Sequence, residues 1–318
     1  MNLAILALDG VFDTGMTVLL DMFSTANELA AVQGSPHPPF DVAVVGVRPG
    51  IRTALGLTMA VASIETVRRP DWVIVPALNA KLPERLVPAL ARPDVRDALG
   101  HLRAWHADGI SVGASCVGTF LLAESGVLDG REATTTWSLA PLFRQRYPQV
   151  RLDDGRMIVP GDRVVTAGAA MGHLDLALWL MRQASPEMAA LVARFMLVDK
   201  RPSQAPYMIP DYLAHADPLV ERFERWARAR LAAGFSLQEA ARALAVTPRT
   251  LQRRTEAVLG KSPLAFFQDM RVERAQHLIA IGQNLETVAT EVGYADGATL
   301  RTLLRRRLGR GVRDLRLG

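Results

Sequence analysis

What most limits the fold of this chain is a duplication near its C-terminal end. Residues 235–260 and 283–309 read as two copies of one helix-turn-helix unit. In the first copy, Leu237, Ala240, Ala241, Leu244 and Val246 form an apolar face, a turn follows at Thr247-Pro248-Arg249, and a helix runs through Thr250-Leu251-Gln252-Arg253-Arg254. In the second, Leu285, Val288, Ala289 and Val292 repeat that face before a turn at Gly293-Tyr294-Ala295-Asp296-Gly297 and a helix over 299–308. Leu237 matches Leu285 at an offset of 48, whereas Leu251 matches Leu300 and Gly260 matches Gly309 at 49, so the second turn has one extra residue. Apolar residues spaced at i, i+3 and i+4 require helices with one buried stripe. Two such units predict two helices able to enter DNA grooves.

Charge gathers in the same region. From Asp217 onward 18 Lys and Arg face 11 Asp and Glu, a net of +7, while the residues before it carry 19 against 21. A polyanion is therefore expected to bind the C-terminal third, because neutralised phosphates release counterions. At 318 residues the chain exceeds what one core usually serves. Residues 199–210 hold three prolines and no helical period, so they read as a linker or extended arm. We place the boundary at 210–217, giving one domain over 1–210 and another over 217–318, with a helix resuming at about Pro218.

The N-terminal part alternates short β-branched runs with helical ones. Residues 3–8, 42–47, 72–75 and 110–113 look like buried strands, and 15–31, 95–107, 117–124 and 174–183 like helices. Such alternation predicts an α/β unit, a mostly parallel sheet of flavodoxin-like form with helices on both faces, followed by an all-α domain. Ligands of such sheets sit at the carboxyl ends of strands. No run of 18 uncharged apolar residues appears, and MNLAILALDG carries an acid where a signal peptide needs a basic region, so a cytoplasmic protein with no membrane partner is expected. The single cysteine, Cys116, leaves no Cys-rich metal site, and neither metal nor cofactor is expected.

Gly113-Ala114-Ser115-Cys116-Val117-Gly118-Thr119 follows one strand and precedes an apolar helix, the geometry of a nucleophile elbow. A thiol there meets the positive end of a helix, which lowers its pKa; equally, Cys116 reads as a small buried hydrophobe. The nearby run Thr134-Thr135-Thr136-Trp137 offers hydroxyls but no imidazole. His101 and His106, five apart, fall on different helix faces. His173 begins a later helix, as a ligand-site residue or a structural one. Asp9 and Asp13 flank the end of the first strand, where either reaches a pocket or caps the next helix.

The tail "FSLQEAARALAVTPRTLQRRTEAVLGKSPLAFFQDMRVERAQHLIA" resembles the AraC/XylS-type DNA-binding domain. With "ASCVGTFLLAESGVLDGREATTTW", "TAGAAMGHLDLALWL" and "RPSQAPY" in front, the whole chain resembles GlxA-like regulators, in which a PfpI-like (class I glutamine amidotransferase-like) domain precedes an AraC-type tail. That resemblance implies a transcription factor that binds double-stranded operator DNA, pairs as a homodimer, answers a small-molecule effector near Asp13, Cys116, Thr136 and His173, and has RNA polymerase as a further candidate partner. Departures matter for catalysis. The acid usual after the first strand falls on Gly15, the histidine usual before Trp137 is Thr136, and the glycine pair usual after the third strand's proline is Ala77-Leu78. An elbow cysteine without these lacks most of an acyl-transfer site, so a sensor rather than an enzyme is expected. The rival is a cysteine hydrolase or amidase localised by its tail.

In the first unit Arg249, Thr250, Gln252 and Arg253 are candidates for base and phosphate contacts, with Arg254 on phosphate. In the second, Ala298, Thr299, Arg301 and Thr302 hold the corresponding places beside Asp296, and Arg305-Arg306-Arg307 either bind phosphate or are solvated. Leu300 and Leu304 stand where the family usually has phenylalanine, and Gly311-Val312-Arg313-Asp314-Leu315-Arg316 replaces a Ser-Pro turn and an aromatic. A helix over 263–281, with a stripe of Leu264, Phe267, Met270, Val272, Ala275 and Leu278, is expected to hold the two recognition helices roughly 34 Å apart. Its Arg271 and Arg274 either add phosphate contacts or pair with Glu273.

Overall fold

The computed structural model describes residues 1–199, 201–209, 217–308 and 312. Lys200, residues 210–216 where the sequence places the boundary, residues 309–311 and residues 313–318 lie outside the described residues. The chain divides into two compact units, Met1–Ala205 and Pro206–Gly318.

In chain order the first unit contains β1 (Asn2–Leu6), α1 (Asp13–Val32), β2 (Asp41–Gly46), β3 (Gly50–Arg52), β4 (Thr58–Ala60), β5 (Ala62–Ser63), β6 (Trp72–Val75), α2 (Pro83–Leu90) and α3 (Pro93–Ala107). It continues with β7 (Ser111–Ser115), α4 (Gly118–Glu124), β8 (Glu132–Ala133), α5 (Ala140–Arg146), β9 (Arg151–Leu152), β10 (Ile158–Gly161), β11 (Val164–Ala167), α6 (Gly172–Ala184) and α7 (Pro186–Phe195). Seven strands form one sheet in the order β10-β11-β7-β6-β1-β2-β5. Every pairing in it is parallel except the β10–β11 hairpin. Alternation along β1 explains the two helical layers, since successive side chains point to opposite faces. Leu3 and Ile5 pack with Leu19, Met22 and Leu176 of α1 and α6, while Ala4 and Leu6 pack with Leu86, Val95, Leu99 and Phe120 of α2, α3 and α4.

The second unit contains α8 (Pro218–Arg228), α9 (Leu237–Ala243), α10 (Pro248–Leu259), α11 (Pro263–Ala280), α12 (Leu285–Glu291) and α13 (Gly297–Leu308). Local chemistry sets these boundaries. Asp217, Ser236, Thr247, Ser262 and Asn284 each accept a backbone N–H of the first turn that they precede, and all five of these helices carry in that turn a proline or an acid suited to that end. The two turns also match in backbone. Ala245 has φ 56° and Gly293 has φ 76°, at the repeat offset of 48. Gly293 is required on packing grounds too, because a Cβ there would sit 2.7 Å from the Leu231 carbonyl oxygen.

Helix α11 joins the halves as the sequence stripe predicts, with one correction. Leu264 is 50% exposed, and Phe266 is buried in its place. Val272, Ala275, Leu278 and Ile279 pack against Leu285, Val288, Ala289, Val292, Leu300 and Leu304. Both recognition-helix leucines are fully buried, so the apolar-for-apolar exchange keeps the core.

Candidate functional site

The elbow lies at the carboxyl end of β7. Cys116 takes φ 55°, a region that costs an L-residue strain. Its N–H donates to the Ala167 carbonyl (2.9 Å), and its carbonyl accepts the Thr135 hydroxyl (2.7 Å). A Cβ at Gly118 would overlap the Val75 carbonyl oxygen, so only glycine lets the elbow lie this close to β6.

The thiol does not behave as its position implies. Cys116 is only 7% exposed, and burial pushes its pKa up to about 11, against smaller opposing effects of the Val117 N–H, the Thr136 hydroxyl and Lys81. A helix N-terminus supplies about 0.3–1 kcal/mol, whereas a rise of two units corresponds to about 3 kcal/mol. Desolvation wins, which favours the buried-hydrophobe reading of Cys116 over the activated thiolate. Thr136 is also buried, with Oγ1 3.2 Å from Ser138 Oγ.

His173 is a structural residue of this end of the sheet. It is fully buried, its Nε2 accepts the Ala77 N–H (3.1 Å), and its Nδ1 lies 2.8 Å from the Ala170 carbonyl. An N–H can only donate and a carbonyl only accept, so the ring is neutral with its proton on Nδ1. Burial pushes its pKa down to about 4. The ring also fills the space beside Gly15, where a Cβ would stand 2.7 Å from two of its atoms. The position at which relatives of the resembled superfamily carry an acid thus holds an imidazole contributed by α6, and the Ala77 N–H is already engaged.

Asp13 does not cap α1. It is the first residue of that helix, with Oδ2 accepting the Leu55 N–H from the β3–β4 loop (3.0 Å), while Oδ1 is buried without a partner among the described residues. Asp9 accepts the Arg52 N–H (2.8 Å) and faces Arg48. Cys116 and Thr136 therefore meet, His173 meets Gly15 and Ala77, and Asp13 turns toward the hairpin. Neither His101 nor His106 joins them; the His106 ring lies near Arg131 instead.

The second unit presents two exposed helix starts. On α10, Arg249 and Arg253 are exposed, and no carboxylate among the described residues pairs with either. Thr250 is bound at its N–H by Thr247 (3.1 Å), and the Gln252 amide donates to Glu256. Arg254 points elsewhere. It pairs with Asp217, the N-cap of α8, and so braces the unit. On α13, Ala298, Thr299, Arg301, Thr302, Arg305 and Arg306 are exposed. Asp296 accepts the Thr299 N–H (2.6 Å), a bond that holds its carboxyl below the ordinary range.

Two interactions that sequence reading missed fix these helices to α11. Asp269 receives Lys261 (2.8 Å), just past α10, and Arg307 (3.1 Å), near the end of α13. Arg271 is buried, not on phosphate. Its Nε and Nη2 donate to the Leu231 carbonyl (2.9 and 2.7 Å), and its guanidinium lies over the rings of Phe267 and Tyr294. Glu273 pairs with Arg228, and Arg274 lies 3.7 Å from Glu291.

Residues 240–317 match a sequence family described as a helix-turn-helix domain. The C-terminal unit is similar to helix-turn-helix domains over that span. The chain is 31% identical over 186 residues to the HTH-type transcriptional regulator CdhR of Pseudomonas aeruginosa, across 56% of this chain and 54% of that protein. It is 26% identical over 207 residues to the HTH-type transcriptional regulator GlxA of Rhizobium meliloti, across 59% of this chain and 58% of that one. The chain thus spans little more than half the length of these curated relatives. In fold it is similar to a ThiJ/PfpI family protein from Pseudomonas syringae, with a TM-score of 0.51 and 18% identity over 77% of this chain and 90% of the other. No helix among the described residues is long and apolar enough to cross a membrane.

Proposed function

We propose that this protein is a sequence-specific transcriptional regulator whose AraC-type unit reads operator DNA and whose front unit, without catalysing a reaction, binds a small molecule that controls that reading. The observation that carries the proposal is the pair of capped, exposed recognition helices braced on α11, each carrying in its first half arginines with no carboxylate partner among the described residues, Arg249 and Arg253 on α10 and Arg301 on α13. Arginine donors at such a helix start suit guanine edges and phosphates. Thr250, Thr299 and Thr302 supply shorter polar contacts, Arg305 reaches phosphate, and Ala298 allows close approach. Gln252 reads a base only after leaving Glu256.

In the front unit, Cys116, Thr136 and Asp13 border the effector, while His173 shapes that region from beneath. The regulator acts as a cytoplasmic homodimer, meets RNA polymerase at the promoter and needs no cofactor. A hydrolase reading fares worse, because its thiol would stay protonated at neutral pH and the acid's place is filled by His173. Mobility-shift titration of fragments bound by the wild type tests the assignment. Arg253→Ala and Arg301→Ala should each weaken binding by about ten-fold or more, given about 1–3 kcal/mol per good base contact. Wild-type affinity in both variants would overturn it.

A further inference from the structure

The stretch that leaves the front unit is tied to the elbow loop. After α7, Arg201 donates to Asp175 (2.5 Å) and to the Met171 carbonyl (3.1 Å), and Ser203 donates to the Gly155 carbonyl (2.6 Å). Sequence reading treats this stretch as a free arm, yet Gln204 is fully buried. Its Nε2 donates to the Thr135 carbonyl (2.8 Å) and to Thr134 Oγ1 (3.2 Å). Glycine at 168 makes the seat, since a Cβ there would overlap the Gln204 amide. The other end of the amide is unmatched, with Oε1 buried and accepting nothing among the described residues.

Thr135 faces both ways. Its carbonyl holds Gln204, and its hydroxyl holds the carbonyl of Cys116 at the strained elbow. Gln204 is the last residue but one of the front unit, and the DNA-binding unit begins at Pro206. A buried acceptor left unmet is costly, so stability alone gives no reason to seat a glutamine here. The Gln204 N–H is anchored on the Gly155 carbonyl (2.9 Å), so the side-chain amide, held through its donor end alone, is the part suited to release.

We propose that Gln204 is a coupling latch: a small molecule that moves residues 134–136 away from Cys116 breaks the Gln204 amide bonds, loosens the connector at Gln204 while Arg201 and Ser203 keep their own ties, and so alters the constraint where the chain enters the DNA-binding unit. This inference rests on the regulator reading. The effector works only through unequal affinity for the latched and released states.

The test uses the full chain and needs no effector. Hydrogen–deuterium exchange of peptides covering residues 201–209, and affinity for fragments selected by the wild type, are compared among wild type, Gln204→Met, Thr135→Val and the double variant. Gln204→Met keeps the volume and loses the donors, while Thr135→Val removes only an atom that touches the elbow. Exchange over 201–209 is expected to rise by about ten-fold in both, and fragment affinity to shift by about three-fold or more in the same direction. Because the two residues act in series, the double variant should go no further than the larger single effect. Unchanged exchange in Thr135→Val, or wild-type affinity in Gln204→Met, overturns the latch. Should Gln204→Met fail to fold, Thr135→Val carries both readouts. A wild-type chain that selects no fragment overturns the regulator reading instead, and the exchange comparison still decides whether elbow and connector are linked.

Discussion

Cys116 and His173 both sit where a catalytic group is expected, and desolvation disarms both. With the thiol pushed up to about 11, its thiolate fraction at pH 8 is about 100-fold or more below that of an unfolded cysteine. Iodoacetamide should therefore alkylate the native chain at least that much more slowly than the denatured chain at pH 8, as followed by mass spectrometry. Equal rates would mean an open, activated thiol. His173 gives a pH signature of opposite origin. Its folded pKa of about 4 lies below the ordinary 6.5, so the unfolded chain binds the proton more readily. Its contribution is complete above about pH 6.5 and falls away as pH drops toward 4, by about 3 kcal/mol in all. Denaturant titrations at pH 7, 5.5 and 4 should show that fall in the wild type and a shallower one in His173→Gln. Parallel curves would show that the ring is not a buried neutral acceptor.

At the scale of elements, α11 and the short turns decide how the two readers are held. Surface pairs such as Lys261–Asp269–Arg307 contribute little energy each, but they tie the ends of both recognition helices to one carboxylate. Arg271 contributes more, because it is buried and its loss leaves the Leu231 carbonyl unmet. Arg271→Met should cost about 2–4 kcal/mol in urea unfolding of the second unit, and Arg271→Lys less, since lysine keeps charge but not the planar fork. A cost below about 0.5 kcal/mol for Arg271→Met would show that it is not a strut. These elements also mark what a sequence can show. The helix faces around Leu237, Leu285 and Leu300 were legible because burial imposes a period, and the strands at 3–8 and 72–75 because β-branched runs are short and bounded. The hairpin β10–β11, the buried Arg271 and the Gln204 seat were not. Two four-residue strands, one of them closing on Pro160-Gly161, are too short to show a period, and a buried arginine or glutamine reads as surface until its partners, far away in sequence, are placed beside it.

For the whole molecule, the charge division and the fold division fall close together: a front unit with slightly more acids than bases, and a tail that from Asp217 onward carries a net of +7. Charge alone would give salt-sensitive binding to any DNA, whereas two capped recognition helices on α11 predict a preferred site. The account thus stands on sequence preference rather than on affinity. The direct measurement is selection of bound fragments from sheared genomic DNA by the full chain at two salt concentrations, followed by sequencing. A recurring site about two helical turns long, still bound at the higher salt, is the predicted result. Uniform recovery of all fragments at low salt and none at high salt would leave only the electrostatic attraction of the tail and contradict the account.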